Sequence, residues 1–284
     1  MTVPELDLVG QRSVSPNGRY TLIWQDRGWT GDSSDPRGRY LLLDGGSLVA
    51  DARMGRPQDG KVADNGTFIL NDWGDSQQLS GTFHAFRGDG SSIISHSYSA
   101  NLLNNGLAPD GRLAVCQTCN APGSADGSIL TVFNLEAGTI VAAWTAESGW
   151  ANDYEFPGSE RVRMLRGDRP PLDYCLYGEF VDRRLWLRDE VARGTLHVIR
   201  KALAEGETTT GLSLDDLRVG VRRVAATVEG DARSRADAWR LAGEIEEMAG
   251  DEAAALKAYE RALALDPKVG VAKRAATLRK RLQQ

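Results

Sequence analysis

Short runs of β-forming residues alternate with turn residues over the first 180 positions, and the alternation repeats. Ser15-Pro16-Asn17-Gly18, Ala63-Asp64-Asn65-Gly66 and Ala108-Pro109-Asp110-Gly111 are near copies, with glycines 48 and 45 residues apart. A degraded fourth copy, Phe156-Pro157-Gly158-Ser159, follows 47 residues later. Each turn opens a run rich in β-formers. A period in the forties built on such a turn marks stacked four-stranded β-modules.

A second marker runs in phase with the first. Gly46, Gly90 and Gly138 follow the three turn glycines by 28, 24 and 27 residues, and each separates two β-like runs. Glycine accepts the positive φ that tight hairpins require. One unit therefore reads strand, Pro/Asn/Asp-Gly turn, strand, longer loop, strand, glycine turn, strand. In the third unit the pattern predicts strands over 112–119, 128–135 and 139–145. The fourth unit predicts 150–156, 160–166 and 172–180 and then loses the pattern. Loops 26–38 and 120–127, rich in Gly, Ser, Asp and Pro, are expected on the surface.

Beyond residue 180 the apolar positions take helical spacing. Leu185, Trp186, Val191, Leu196, Ile199 and Leu203 fall at intervals suited to a face packed on the β part. Residues 205–211, with Thr208-Thr209-Thr210, read as a linker. Ser213 with Asp216 three residues on predicts a helix start, because side chain and amide can cap each other.

Trp239, Gly243, Ala255, Tyr259, Ala262 and Pro267 then stand at spacings with a physical logic. Gly243 and Ala255 let two helices approach closely, Tyr259 fills the groove between them, Ala249-Gly250-Asp251 turns the corner, and Asp266-Pro267 stops the second helix. Over 236–268 this segment resembles a tetratricopeptide repeat (TPR), departing from it at Ala242 and Glu246, where leucine and an aromatic are usual. A single repeat cannot bury its own faces, so helices on either side are expected to flank it. The resemblance implies a concave face of Asp237, Arg240, Glu244 and Glu247, mostly acidic and suited to a partner with basic side chains.

Over about residues 5–181 the chain resembles a β-propeller whose blades carry Ser/Ala-Pro-Asp-Gly turns. It lacks the Gly-His and Trp-Asp signatures of WD repeats and has only about four units. Four blades closing within one chain, a set completed by another copy or by the helices, and a plain antiparallel sandwich all fit the pattern. The fold class is β plus α: about four antiparallel β-blade repeats, a small or incomplete propeller, over 1–181. Packing helices and a linker follow over 182–210, and an all-α TPR-like tail over 211–284.

Composition agrees with that division. A chain of 284 residues is long enough for two cores, and 41% hydrophobic with 26% charged residues is ordinary for a soluble protein. The net charge of −5 is uneven: from Gly211 onward 14 Lys/Arg oppose 12 Asp/Glu, giving +2 and leaving −7 for residues 1–210. The opening Met1-Thr2-Val3-Pro4-Glu5 has neither the basic nor the apolar region of a signal peptide, and no apolar run approaches the roughly 20 residues a membrane span needs. Three cysteines do not make a disulfide framework, so a cytoplasmic protein with reduced thiols is expected.

Candidate chemistry is sparse. Cys116-Gln117-Thr118-Cys119 falls on a predicted strand, where its thiols face opposite ways, rather than at a helix start, where a dipole would favour a thiolate. Cys175 stands alone, and a zinc site would want more ligands. His84 and His96 flank the Gly90 hairpin as possible cross-strand neighbours, with no third ligand in view. No phosphate loop, nucleophile elbow or zinc-protease motif is present, so no metal, cofactor or catalytic residue is assigned. The basic last helix, with Lys268, Lys273, Arg274, Arg279, Lys280 and Arg281, reads as a solvated face favoured by the helix dipole rather than a nucleic-acid site. Trp29 and Trp73, in loops, are candidate contact residues, since aromatics dominate binding hot spots.

The resemblances imply a non-catalytic interaction or scaffold protein, offering propeller loops and a helical groove to a protein partner, with homo-oligomerisation open. The alternative is an enzyme or small-ligand binder with a polar site at the propeller mouth, because fold alone does not exclude it.

Overall fold

A computed structural model describes residues 2–3, 8–27, 37–74, 79–226 and 231–284. The chain divides into two compact units, Met1–Val181 and Asp182–Gln284.

The first unit opens with β1 (Thr2–Val3) paired to β2 (Leu8–Val9). Four antiparallel sheets follow, each laid down in chain order. Sheet 1 is β3 (Gln11–Val14), β4 (Tyr20–Gln25), β5 (Gly38–Asp44) and β6 (Ser47–Met54). Sheet 2 is β7 (Pro57–Val62), β8 (Phe68–Asp72), β9 (Gly81–Phe86) and β10 (Ser92–Tyr98). Sheet 3 is β11 (Leu102–Leu107), β12 (Leu113–Thr118), β13 (Ile129–Asn134) and β14 (Thr139–Thr145). Sheet 4 has three strands, β15 (Asp153–Glu155), β16 (Arg161–Arg166) and β17 (Arg169–Cys175). This is the blade-by-blade order expected from the repeat.

Both glycine markers take the positive φ expected of them. Gly18, Gly66 and Gly111 adopt φ of +75°, +84° and +74°, which only glycine adopts without steric cost. Their amides close the turns on Ser15, Ala63 and Ala108 at 2.8, 3.0 and 2.9 Å. Two of the hairpin glycines, Gly90 and Gly138, also serve packing between sheets. A Cβ on Gly90 would stand 3.0 Å from Ala50 of β6, and one on Gly138 would stand 3.3 Å from the Ile93 carbonyl of β10. Three residues past each hairpin glycine the register slips, making Val49, Ile93 and Val141 the extra residue of a β-bulge in each outer strand.

The fourth unit departs from the reading over 150–156 and 172–180. Its first strand shrinks to Asp153–Glu155, and its third ends at Cys175. A hairpin at Gly178 (φ +92°) then returns through the Cys175 amide to Glu179, the Tyr174–Phe180 bridge and the Val181 amide to Asp173. The fourth strand is thus a stub, and Gly178 seats on Trp144 of β14 as the earlier hairpin glycines seat on β6 and β10.

Three apolar layers join the four sheets. Leu22, Trp24, Tyr40 and Leu42 meet Phe68, Leu70 and Phe86. On the other face of sheet 2, Ile69, Phe83 and Ala85 meet Ala114, Cys116 and Phe133, with Phe83 stacked on Phe133 at 4.4 Å. Val115, Leu130 and Val132 meet Tyr154, Val162, Met164 and Tyr174. Sheets 2 and 3 are therefore apolar on both faces, which is why β8 and β12 are buried almost throughout instead of alternating. The far face of sheet 1, Ile23 and Leu41, is closed by Leu8. On sheet 4 the far face carries charge instead: Arg163 pairs with Asp173 at 2.7 Å, and Arg161 lies 3.6 Å from the same carboxylate.

The second unit holds α1 (Arg183–Arg193), α2 (Leu196–Glu205), α3 (Glu207–Thr210), α4 (Leu214–Ala226), α5 (Ala232–Met248), α6 (Glu252–Leu265) and α7 (Ala272–Arg281). Within it α1 and α2 pack on α4, and α4 to α7 pack each on the next. Leu185, placed on a buried face by its spacing, is exposed, while Trp186, Leu187 and Val191 are buried. The stretch read as a linker contains α3, whose Thr210 is buried. The Ser213–Asp216 cap forms as expected: the Asp216 amide donates to Ser213 Oγ at 3.2 Å, and the Ser213 amide to Asp216 Oδ2 at 2.9 Å. A Cβ on Gly243 would lie 2.3 Å from the Tyr259 ring, so only glycine lets α5 and α6 come this close.

Candidate functional site

Where β7, β11 and β15 meet, polar side chains cross from sheet to sheet. An extra residue between Gln58 and Lys61 turns Asp59 into the left-handed region (φ 47°), which Asp tolerates better than most residues. Its Oδ2 accepts the Asn105 amide at 2.8 Å, and Asn105 Nδ2 donates to its carbonyl at 2.7 Å. Lys61 Nζ donates to Asn105 O and Oδ1 at 2.7 and 3.1 Å and to Asp59 Oδ1 at 3.1 Å, with Asp153 3.8 Å away. The Tyr154 hydroxyl lies within hydrogen-bond distance of Asn104 Oδ1 (3.0 Å) and Gln117 Oε1 (2.8 Å). Burial pushes its phenol well above the ordinary tyrosine value. The Asp59–Asn105 and Lys61–Asn105 bonds span 46 and 44 residues, about one repeat. These groups spend their bonding capacity holding one sheet to the next.

The opposite end from the Asx-Gly turns carries Trp73, just past β8. The Asp72 carboxylate fixes the loop by accepting amides from Gly55, Arg56 and Gly74 at 3.1, 2.8 and 2.9 Å. Arg56 lies over the Trp73 ring at 5.8 Å and pairs with Asp26 at 3.0 Å. Trp73 keeps 37% of its surface exposed at the edge of a cleft of about 370 Å³ that also contacts Leu102, Leu103 and Cys119. Trp29, the other loop tryptophan, lies outside the described residues.

The helical face brings together the four residues read from the repeat, but with their charges already engaged. Asp237 pairs with Arg200 of α2 at 3.0 Å. Glu244 pairs with Arg240 at 3.1 Å and with Arg274 of α7 at 3.5 Å, and Glu247 with Arg274 at 2.9 Å. Glu247 also accepts the Tyr259 hydroxyl, and burial, then this carboxylate, lift that phenol above its usual range. On the last helix Arg279 pairs with Glu260 at 2.6 Å and Arg281 with Glu252 at 3.0 Å.

The two β-part histidines do not meet. His84 pairs across from Ser95 and His96 across from Phe83, and a one-residue offset in a strand puts them on opposite faces. His84 bonds Ser95 Oγ at 2.8 Å and stacks on Phe86, and burial lowers its pKa. Burial raises the Cys116 thiol far above the reactive range, and raises Cys119 too. Among the described residues no three His, Cys, Asp or Glu side chains gather as metal ligands. Sequence reasoning missed Asp59, Lys61 and Asn105; the one available signal was their recurrence at about the repeat spacing.

No family model matches the chain, and no curated protein matches it significantly. Solved structures match in part. The C-terminal WD40 domain of Sif2 aligns at 9% identity over 58% of this chain and 45% of that one, with a TM-score of 0.40. The Dos1 propeller aligns at 11% identity over 63% and 47%, TM-score 0.42. BamB from Moraxella catarrhalis aligns at 12% identity over 59% and 49%, TM-score 0.34. The chain spans about half the length of each.

Proposed function

We propose that this chain is a non-catalytic cytoplasmic scaffold that holds a protein partner through the loop end of its sheets and through its helical face. In this reading α5 and α6 form a tetratricopeptide-type repeat within a helical module over 211–284, and 182–210 leads into it. The carrying observation is Trp73: part-exposed, beside a cleft, and held from below by Asp72 and Arg56. An aromatic side chain ordered before binding loses little entropy on contact, which is what a hot spot needs. No described helix is long and apolar enough to cross a membrane.

Affinity capture with the full-length chain from native extract, beside Trp73→Ala and Arg240→Ala variants, tests the reading. A stoichiometric protein lost with either variant at unchanged Tm is expected. Equal recovery from all three would remove its support.

A second reading, a small-ligand or catalytic site at the mouth of the sheets, draws on Asp59, Lys61 and Asp153 converging there. It requires a ligand whose binding in a thermal-shift screen disappears in Lys61→Met.

A further inference from the structure

A groove of about 530 Å³ runs between the start of α2 at Leu196, the first half of α5, and the α6–α7 connection at Asp266 to Val269. Its α5 wall is Arg233, Ser234, Asp237 and Arg240, and the acid there, like those further along the helix, is matched within the unit. Asp237 is held by Arg200, and Glu244 and Glu247 by Arg240 and Arg274. Asp266 accepts the Lys268 amide at 2.8 Å. Asp231, which feels the charge of neighbouring Arg233, spends both carboxylate oxygens on Ser234. Two cations on the groove, Arg233 and Lys268, are exposed and form no ion pair among the described residues. Against them stands one carboxylate of the lining without such an ion pair, Asp266, so the uncommitted charge is positive on balance.

We propose that this groove takes an acidic segment of a partner protein, its carboxylates seated on Arg233 and Lys268. The inference rests on the scaffold reading and adds the partner's chemistry. A guanidinium presents two parallel N–H groups to a carboxylate, and an ammonium beside it accepts a second acid in many geometries. Leu196 and Val269 give the aliphatic part of such a segment something to lie on. A nucleic acid fits less well. Two neighbouring cations do not make the row that a phosphate backbone needs.

Fluorescence anisotropy on the full-length protein tests this, with a Glu-rich peptide, a Lys-rich peptide of equal length and a single-stranded DNA oligonucleotide as probes. The Glu-rich peptide is expected to bind, to weaken with added salt, and to weaken about tenfold in the Arg233→Glu/Lys268→Glu double variant. Both side chains are exposed, so circular dichroism of the double variant should be unchanged. Preference for the Lys-rich peptide or the oligonucleotide, no binding of the Glu-rich peptide at low salt, or unchanged affinity in the double variant would each overturn the proposal. A partner captured by the wild-type chain and lost in Arg240→Ala, but kept in the double variant, would overturn it while leaving the scaffold reading standing. Failure of that reading shows separately, as equal capture by the wild-type chain and the Trp73 and Arg240 variants.

Discussion

The backbone amide of Asn17 donates to the carboxylate of Asp64 at 2.7 Å, joining the first turn of the repeat to the second. Asn17 Nδ2 adds a bond to the Asp64 carbonyl at 3.2 Å, and the Asp64 amide passes the contact on to the Pro109 carbonyl at 2.9 Å. Turns that recur in sequence are neighbours in space. Asp64→Ala removes the side-chain acceptor from this joint and should cost about 1 kcal/mol. Calorimetry should record that as a fall of about 2–4 °C in the melting of the β unit, with the denaturant m value unchanged.

Gly178 and Gly123 separate two costs that glycine replacements usually mix. Both have positive φ, +92° and +85°, but a Cβ at 178 would stand 2.8 Å from the Trp144 indole while one at 123 meets nothing within 4 Å. Gly123→Ala should cost only the backbone term, about 1 kcal/mol. Gly178→Ala should lose about 1–3 kcal/mol more through overlap with the indole. Equal denaturation midpoints for the two variants would mean that the hairpin does not press on β14.

Stability should respond to pH at both ends of the range, with opposite signs. Burial lowers the pKa of His84, so the unfolded chain takes up its proton more readily than the folded one. That contribution is complete above about pH 6.5 and is lost as the pH falls through and below it. His84→Gln should flatten the stability curve below about pH 6.5, and an unchanged slope would assign the effect elsewhere.

At the alkaline end burial raises the phenols of Tyr98, Tyr154, Tyr174 and Tyr259. Their contribution is complete below the unfolded value of about 10 and falls as the pH rises past it. Ultraviolet titration should show these phenols ionising together with unfolding, not before it.

Much of this fold was legible because its signals are local. A turn glycine and a hairpin glycine announce themselves by residue type, and their spacing fixed three sheets. The fourth was half-read: Gly178 follows Gly138 by 40 residues instead of 48 or 44, and the strand after it is a stub. The bulges at Val49, Ile93 and Val141 were not legible at all, since a β-branched residue looks the same in register or out of it. Helical spacing set Asp237, Arg240, Glu244 and Glu247 along α5, but not the partners of their charges. Arg200 lies 37 residues before Asp237 and Arg274 lies 30 after Glu244, distances at which no local pattern can pair them.

The bulges carry a consequence for how such a chain can change length. A slipped register at the same place in β6, β10 and β14 makes each of these edges a poor template for another strand, so none of the first three sheets is easily widened. The joints between sheets are halved instead, with a glycine hairpin on one unit and its seat on the outer strand of the unit before. A segment of one period carries one half of each kind. It can therefore be duplicated or deleted in tandem with every joint re-formed, and inheritance can lengthen or shorten this stack one whole unit at a time.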